Sequence, residues 1–359
     1  MLGQGQGTEP MIPSNTVRDG DSDATAQRLL DIVNGSWMAQ ATYVAAYLRI
    51  PDLVAAGPKS TEELARAVGA HAPSLRRLLR ALVTIDILRE HDDGAYALTP
   101  MGSWLRADVD HSLHSWTLYW GGPQWPIWGN LLHSVMTGES ARKLASGGGE
   151  FDRLETDAEA AALFNRAMVE LTRLESRNIA RAVDFAGGQR IVDVGGGYGA
   201  LLAEILRAHP DARGVLYDRP HAIESARRLM EAAAVAARCE FVAGDFFASI
   251  PAGADVYLLK SVIHDWNDER SSRILANCAS AMHAQARLLL VERIVPPRLD
   301  ASAAHRALVR ADLNMLVGLG GRERTEEEYR ALLNGAELRL QAVWPAGKAF
   351  SVIEAIRSR

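Results

Sequence analysis

The sequence has little cysteine, no excess of positive charge and no long apolar run. Its 359 residues include two cysteines, Cys239 and Cys278, too few for a disulfide framework, which indicates a reducing compartment. The net charge of −5 gives no positive field to attract nucleic acid or anionic lipid. No run approaches the roughly 18 apolar residues of a membrane-spanning helix. Residues 1–20 also lack the apolar stretch of a secretory signal, so we expect a disordered leader there and a cytoplasmic protein with no membrane partner.

Length and composition indicate a globular enzyme of two domains. Hydrophobic residues make up 48% and charged residues 23% of the chain, which is typical of a globular protein with an ordinary core. A helical pattern occupies the first part, and an alternation of strands and helices begins near Gln189. We therefore expect a helical winged-helix domain at 21–108, a helical linker with the substrate pocket at 109–186, and an α/β domain at 187–359.

The first domain has the pattern of a winged helix. Ser60 and Glu63 have the spacing of a capping box, which opens a short helix ending near Gly69. A turn and a second helix at 75–87 follow, and an extended segment at 96–99 completes the wing.

A winged helix can bind DNA. Its second helix carries Arg76, Arg77 and Arg80, which are able to contact phosphates. No Asn or Gln, residues that read adenine, lies among them, and the same arginines suit a solvated helix face. We therefore expect no nucleic-acid partner and keep a ligand-sensing DNA-binding regulator as the alternative outside enzymes.

Aromatic residues are scarce overall, at 6%, but concentrate in one stretch of the linker. One interpretation is a helix that packs its rings into a domain interface. The other is a wall around a flat organic substrate, because rigid aromatic side chains line small-molecule pockets. A glycine-rich loop at 147–149 and helices from about 157 to 186 follow. The aromatic residues are Trp116, Tyr119, Trp120, Trp125 and Trp128.

Beyond residue 187, continuous apolar strands alternate with helix-length segments. This texture predicts a parallel sheet covered by helices on both faces. The last two strands, separated by 345–347, form a hairpin, so we expect one antiparallel strand at an edge. The fold class is α/β: a Rossmann-like, seven-stranded, mostly parallel sheet with a C-terminal antiparallel hairpin. The predicted strands are 190–194, 214–217, 239–243, 256–259, 287–291, 338–343 and 350–356.

The first of these strands runs into a glycine loop that is followed by a helix. Glycines permit a tight turn and let backbone N–H groups approach a ligand at the start of the helix. Gly195, Gly197 and Ala200 also satisfy the dinucleotide fingerprint, so the loop alone leaves a nicotinamide dehydrogenase open.

Two carboxylates follow at the ends of the next two strands. Asp218 ends the second strand, where a carboxylate can accept hydrogen bonds from ribose hydroxyls. Asp245 ends the third strand at a position suited to an exocyclic adenine amine, and Phe246 can stack on the adenine ring. Because open α/β sheets bind ligands at the carboxyl ends of their strands, these residues predict a nucleoside site.

The fourth strand leads into Lys260-Ser261-Val262-Ile263-His264-Asp265-Trp266-Asn267-Asp268. This segment resembles the hallmark of the plant-type small-molecule O-methyltransferases and their bacterial relatives from aromatic natural-product pathways. Motifs at 164–168, 193–197 and 320–325 extend the resemblance through nearly the whole chain. It implies a helical N-terminal domain that forms a homodimer, S-adenosylmethionine as methyl donor, and methyl transfer to a hydroxyl group of a planar aromatic compound.

The resemblance also implies residue roles, with His264 taking the phenolic proton between Glu292 and Glu323. A phenol with a pKa of about 10 is a poor nucleophile at neutral pH, and an imidazole with an ordinary pKa of about 6.5 is suited to deprotonate it. A carboxylate on the other ring nitrogen would fix the tautomer. The expected cofactor-binding residues are Asp193, Gly195, Gly197, Asp218, Arg219, Gly244, Asp245, Phe246 and Lys260. The expected acceptor-side residues are Trp116, Trp120, Met168, Asp265, Asn314 and Met315.

Some features depart from the plant pattern. Arg219 stands where many plant members have Leu, and Phe246 stands where Met is common. The loop at 318–321 is shorter and lacks an Asn-Pro, so plant substrate preferences should not transfer. The sequence contains no evident carboxylate cluster for Mg²⁺, and His111 with His114 is too little for zinc, so we expect metal-independent chemistry. N-methylation, and hydroxylation or decarboxylation by a cofactor-retaining relative, remain open as enzymatic alternatives.

Overall fold

The computed structural model describes residues 19–146, 154–185 and 187–358. Most of the predicted leader and the glycine-rich loop at 147–149 lie outside these residues. Helix α1 (Asp19–Tyr47) begins inside the last two positions of the predicted leader. Among the described residues, no helix is long and apolar enough to cross a lipid bilayer.

The predicted winged helix is present in the first domain. Its capping box forms as expected, because the Glu63 N–H donates to Ser60 Oγ at 3.2 Å and the Ser60 N–H donates to Glu63 Oε2 at 2.7 Å. Leu64, Leu79 and Tyr96 lie in the core that these elements share. The elements are α2 (Ile50–Ala55), α3 (Thr61–Val68), α4 (Ala72–Thr84) and the antiparallel strands β1 (Leu88–Glu90) and β2 (Tyr96–Leu98).

Helix α1 carries large apolar side chains that the single chain leaves exposed. Leu29, Ile32 and Val33 are each more than half exposed, and Trp37 is 65% exposed. Exposure of several large apolar side chains on one helix is typical of a surface that another protein covers.

Helices make up most of the described part of the linker between the two domains. The predicted helix from about 157 begins after Asp157, whose side chain accepts a hydrogen bond from the Ala160 N–H at 2.9 Å, and it ends at Ala182. This long helix packs against the aromatic helix α5 and against the α/β domain. The linker helices are α5 (His114–Gly121), α6 (Trp125–Trp128), α7 (Leu131–Thr137), α8 (Ala141–Ser146) and α9 (Ala158–Ala182).

The last domain contains the predicted seven-stranded sheet. Its strand order is β5-β4-β3-β6-β7-β9-β8. The bounds are β3 (Arg190–Val194), β4 (Arg213–Asp218), β5 (Cys239–Ala243), β6 (Val256–Lys260), β7 (Arg287–Glu292), β8 (Leu338–Ala346) and β9 (Phe350–Arg357).

The C-terminal hairpin is confirmed, but the antiparallel strand does not lie at the edge. Strand β9 inserts between β7 and β8 and runs antiparallel to both, which leaves β8 as the edge. Burial explains the order: β9 is apolar on both faces, with Val352, Ile353 and Ala355 inaccessible, whereas β8 alternates buried and exposed residues. A strand that is buried on both faces belongs inside a sheet.

Helices cover both faces of the sheet, as predicted. One apolar core contains side chains of α12 and α14, and the other contains side chains of α9, α10 and α11. The direction in which successive strands are added to the sheet reverses between the neighbouring strands β3 and β6. At such a switch point the carboxyl ends of parallel strands open a crevice. The helices are α10 (Ala200–Ala208), α11 (Pro220–Ala232), α12 (Asp268–Ala281), α13 (Ala303–Asn314) and α14 (Glu326–Gly335).

Candidate active site

The glycine turn lies at the carboxyl end of β3, within the crevice. Gly195 has a φ of 70° and Gly197 a φ of 59°, a left-handed conformation that glycine adopts without strain. A Cβ on Gly195 would lie 3.0 Å from the Val262 side chain and 3.5 Å from Phe246. The turn thus needs glycine both for its backbone conformation and for its close approach to the neighbouring segments.

Asp218 is bonded directly to this turn. Its Oδ2 accepts a hydrogen bond from the Gly197 N–H at 2.7 Å, and its Oδ1 accepts one from the Arg219 N–H at 2.6 Å. Gly244 joins the same edge, since its N–H donates to the Asp218 carbonyl at 2.9 Å. Burial raises the pKa of Asp218 above its usual range, although these backbone donors oppose the shift. Each carboxylate oxygen retains a second lone pair for a ligand hydroxyl.

Asp193 and Lys260 place opposite charges at the ends of β3 and β6. Asp193 Oδ2 is buried and has no hydrogen-bond partner among the described residues. Burial raises the pKa of Asp193 to about 7 and lowers the pKa of Lys260 to about 8. Lys260 Nζ donates to Thr172 Oγ1 of α9 at 3.0 Å. Buried polar atoms are almost always satisfied, so the Asp193 oxygen indicates a ligand donor at this point of the crevice.

Arg219 pairs with two carboxylates, which the sequence did not predict. Its Nη1 lies 3.1 Å from Asp245 Oδ2, and its other terminal nitrogen bonds Glu155. Asp245 Oδ1 also accepts a hydrogen bond from the Phe247 N–H at 2.8 Å. The two predicted cofactor contacts, Arg219 and Asp245, are therefore an ion pair, and the carboxylate is shared rather than open. Phe246 lies beside them, with its ring centroid 4.9 Å from that of Phe247.

His264 lies on a short 3₁₀ turn, Ile263–Asp265, directly after β6. Its Nδ1 is 3.0 Å from Glu323 Oε1 and 3.6 Å from Glu292 Oε2, so only the Glu323 contact has hydrogen-bond length. Its Nε2 is 3.2 Å from Asp265 Oδ1. Both predicted carboxylates thus face the same ring nitrogen, and Asp265 occupies the other one.

Glu292 and Glu323 are held differently. Glu292 Oε1 accepts hydrogen bonds from the Val262 N–H at 3.1 Å and the Ile263 N–H at 2.9 Å, which fixes the turn that carries His264. Burial raises the pKa of Glu292 to about 7, against the opposing charge of His264. The pKa of Glu323 lies below its usual range, because His264 and Arg293 together outweigh its burial.

The imidazole itself prefers to be charged. Burial disfavours the imidazolium, but the negative charges of Glu292, Glu323 and Asp265 outweigh it and raise the pKa of His264 well above 6.5. The surrounding carboxylates therefore favour the protonated ring. Burial in turn raises the pKa of Asp265, against the charge of His264.

Three of these residues also have the spacing of a metal site. Among the described residues, His264, Glu292 and Glu323 each offer one ligand atom within 4.8 Å of the others; the sequence predicted this grouping as a base with two carboxylates and not as a metal site. A cation there would compete with the imidazolium for the same carboxylates. The arrangement is accounted for as an imidazolium between carboxylates, and metal-independent chemistry stays a prediction.

The sequence analysis did not identify Arg324 as a site residue. Its side chain donates hydrogen bonds to the backbone of the turn that carries His264. Its side chain is 0% exposed and donates to the carbonyl oxygens of Ile263 at 3.0 Å and Trp266 at 2.7 Å. It also donates to Asp268 Oδ1 at 2.8 Å. The only signal in the sequence was an arginine directly before the capping box of α14.

The aromatic helix α5 is fixed by a second missed residue, Glu170 of α9. Its buried carboxylate accepts hydrogen bonds from the Ser115 N–H at 3.0 Å and the Trp116 N–H at 2.8 Å, at the start of α5. The rings of Trp116 and Trp120 contact each other at an interplanar angle of 57°, with centroids 5.2 Å apart. Trp120 Nε1 is buried without a hydrogen-bond partner in the described part of the chain.

Among the described residues, no hydrogen bond or ion pair joins Met168, Asn314 or Met315, the remaining predicted acceptor-side residues, to His264, although the turn that begins at Met315 contacts the turn that carries His264. Asn314 Oδ1 accepts a hydrogen bond from Trp128 Nε1 at 3.2 Å, which ties α6 to the end of α13. Met315 is buried at the start of a π-helical turn, Met315–Leu319, a rare element that often marks functional sites. Met168 is half-buried on α9.

Two family models match this chain. The O-methyltransferase domain matches residues 128–339, and the O-methyltransferase dimerisation domain matches residues 30–108. The dimerisation match includes the exposed Ile32, Val33 and Trp37 of α1.

Curated relatives align over most of the chain. Phenazine O-methyltransferase PhzM of Lysobacter antibioticus is 39% identical over 91% of this chain and 95% of its own length. Mitomycin biosynthesis 6-O-methyltransferase of Streptomyces lavendulae is 40% identical over 90% and 92%. An N-methylating relative, 8-amino-8-demethylriboflavin N,N-dimethyltransferase of Streptomyces davaonensis, is 35% identical over 92% and 94%.

Solved structures share the fold. The structure of LaPhzM has a TM-score of 0.89 at 39% identity and covers 93% of this chain and 99% of that chain. NcsB1, an O-methyltransferase from neocarzinostatin biosynthesis in complex with S-adenosylmethionine and 2-hydroxy-5-methyl naphthoic acid, has a TM-score of 0.77 at 34% identity and covers 89% and 95%.

Proposed function

Because this chain belongs to the plant-type O-methyltransferase family, we propose that His264 is the general base for methylation of a hydroxyl group on a planar aromatic compound. The family and its relatives make the protein an S-adenosylmethionine-dependent O-methyltransferase of aromatic secondary metabolites, and the dimerisation domain supports a homodimer. The observation that carries the base assignment is the buried His264 ring, with Glu323 on one nitrogen and Asp265 on the other.

The crevice suits S-adenosylmethionine, whose sulfonium supplies an electrophilic methyl group when bound. The unsatisfied Asp193 oxygen would accept from the ammonium of the methionine end, and Lys260 would face its carboxylate. The turn at Gly195 and Gly197 lets the chain approach the ligand closely, as its positive φ angles allow. Asp218 would accept from the ribose hydroxyls.

The adenine end of the proposed cofactor site differs from the plant pattern, because Arg219 stands where many plant members have Leu and pairs with Asp245. Asp245 would accept from the exocyclic amine while it remains paired with Arg219, and Phe246 would stack on the ring. A shared carboxylate still has lone pairs for one further donor.

Loss of the Asp218 carboxylate should weaken cofactor binding. We expect Asp218→Asn to raise the Kd for S-adenosylhomocysteine about 10–100-fold, because a hydrogen bond to a charged group contributes roughly 1.5–3 kcal/mol. Titration calorimetry measures this. Glu240→Gln is the matched control, since that carboxylate lies on β5 and pairs with Arg190 at the surface. Unchanged affinity in Asp218→Asn would remove Asp218 from the cofactor site.

Proton removal needs an open lone pair on Nε2. The acceptor hydroxyl would donate to Nε2 in place of the contact with Asp265, and its proton would move to that nitrogen. Glu323 accepts from Nδ1 and stabilises the imidazolium that forms, which is the task of the orienting partner in a base pair. Glu292 holds the turn in place through the Val262 and Ile263 N–H groups.

The raised pKa of His264 predicts a pH dependence of known sign. Only the neutral imidazole can accept a proton, so kcat/KM should rise with pH through the pKa of His264, which lies well above 6.5. We therefore expect the acidic limb of the kcat/KM profile to lie above pH 6.5. Measuring kcat/KM from acidic to alkaline pH for the native enzyme and His264→Gln separates this limb from ionisation of the acceptor. A limb that persists in His264→Gln belongs to another group.

The stability of the protein follows the opposite course. The charge on His264 contributes stability that is fully present below its unfolded pKa of about 6.5 and is lost as the pH rises through the higher folded value.

The proposed acceptor is a compound with a planar ring that carries a hydroxyl group. Relatives include 3-amino-4-hydroxybenzoate 4-O-methyltransferase of Streptomyces cremeus and 2,7-dihydroxy-5-methyl-1-naphthoate 7-O-methyltransferase of Streptomyces carzinostaticus. Their names support a flat hydroxylated ring as acceptor, and the adjoining rings of Trp116 and Trp120 would form one side of its pocket. A mass-spectrometric screen of hydroxylated benzoates, naphthoates and phenazines provides the acceptor for the kinetic assays.

A further inference from the structure

Arg293 lies next to the cluster that His264 forms with its three carboxylates. The proposed transfer of a proton to His264 gives it no role. It directly follows Glu292 at the end of β7, and its side chain is only 16% exposed. Its Nη1 is 3.5 Å from Glu323 Oε1, the oxygen that also faces His264 Nδ1. Its guanidinium carbon lies 4.4 Å from the centroid of the Phe350 ring, so the group is held on both sides.

The buried cluster around His264 is balanced in charge by Arg293. Three carboxylates, Glu292, Glu323 and Asp265, face His264, and its imidazolium together with Lys260 and Arg293 offsets them. When His264 loses its proton, the cluster carries one net negative charge. Without Arg293 it would carry two, and charge is costly to bury without a partner.

The other charged groups near Glu323 are already engaged. Its backbone N–H donates to Asp312 Oδ1 at 2.9 Å. Arg324 is bonded to Asp268 and to the turn carbonyls, and Arg322 pairs with Asp268 and Glu328. Among the described residues, the charged and titratable groups that face the cluster include Asp193, Lys260, His264, Asp265, Glu292, Arg293, Asp312, Arg322, Arg324 and Tyr329.

We propose that Arg293 is a positioning residue that keeps Glu323 anionic and lowers the pH at which the His264 cluster releases its proton. This inference rests on the proposed role of His264 as base. Removal of a nearby cation raises the proton affinity of every coupled site, so the direction of the effect does not depend on which atom of the cluster holds the proton. An opposite charge within about 4–6 Å typically moves a pKa by about 1–3 units.

The test is the pH profile of kcat/KM in two neutral variants. Arg293→Met keeps a long apolar chain against Phe350, and Arg293→Gln keeps a polar one. We expect the acidic limb of both to move about 1 unit to higher pH, with kcat/KM returning toward the native value above the limb. Arg293→Lys, which keeps the charge, should restore the native position of the limb.

The outcomes separate this inference from the base assignment. If His264→Gln removes the limb while Arg293→Met and Arg293→Gln leave it at the native pH, Arg293 does not act on the base and the inference is wrong. A uniform loss of kcat/KM at every pH, with no movement of the limb, would give Arg293 a purely structural role. A limb that survives in His264→Gln would instead overturn the base assignment. Calorimetry with S-adenosylhomocysteine, which should be unchanged, verifies that each variant is folded.

Discussion

Replacement of His264 by alanine is expected to lower kcat about 10²–10⁴-fold, the usual contribution of a positioned general base. The side chain is buried and bonds Glu323 through Nδ1, so its loss removes the proton acceptor and leaves Glu323 with Arg293 as its partner. Binding of S-adenosylhomocysteine should persist, because the proposed cofactor residues lie at the carboxyl ends of β3, β4, β5 and β6 rather than on the His264 turn. Turnover of an aromatic acceptor and calorimetry measure the two effects separately.

The matched control is His283→Ala. His283 also faces a carboxylate, with its Nε2 at 3.5 Å from Asp255 Oδ1, but both side chains are exposed and Asp255 precedes the start of β6 rather than its carboxyl end. We expect native turnover in this variant. Native turnover in His264→Ala as well would show that alignment of donor and acceptor, and not proton removal, supplies the rate.

Replacement of Gly321 by alanine is expected to lower kcat about 10²-fold, because a displacement of about 1 Å at a reacting group has an effect of that size. A Cβ on Gly321 would lie 2.0 Å from the His264 carbonyl oxygen and 2.7 Å from the Trp266 backbone nitrogen. Backbone atoms cannot yield as a flexible side chain does, so the His264 turn must move away from Glu323. The Arg322 N–H bond to the His264 carbonyl, at 2.9 Å, would be strained as well.

Gly318→Ala is the control within the same loop, because a Cβ on Gly318 meets nothing within 4 Å. We expect Gly318→Ala to have native kcat, and Gly321→Ala to lose activity and to unfold at a lower temperature. Steady-state kinetics and thermal unfolding of both variants check this. Equal activity of the two alanine variants would mean that the contact with the His264 turn does not position the base.

Local features of this protein could be read from the sequence, because they depend on residues that are near in the chain. The capping box of Ser60 and Glu63 spans three residues, and the turn at Gly195 follows its strand directly. Carboxylates at the ends of parallel strands meet at one edge of the sheet, so strand order along the chain was enough to place Asp218 beside the glycine turn. The motif from Lys260 to Asp268 identified the family, and the comparisons confirm it.

The order of the last strands required the tertiary structure. A hairpin specifies that β8 and β9 pair, but not which of them pairs with β7. Burial on both faces of β9 decides this, and it depends on the helices that cover the sheet.

The partners of the charged groups also depended on the fold. Arg219 pairs with Asp245, and Asp265 occupies the ring nitrogen that the sequence left for the acceptor. Arg324 reaches the Ile263 carbonyl across 61 residues, and Glu323 reaches His264 across 59.

The sequence by itself determined the family, the parallel sheet and the residues at each strand end, because period, spacing and local turns specify these. The tertiary structure alone decided which carboxylate meets which ring nitrogen of His264, and which arginines hold those groups in place. The physical reason is that the direction and proton affinity of a buried charge depend on every charge within a few ångströms, and the chain brings those charges together only when it folds.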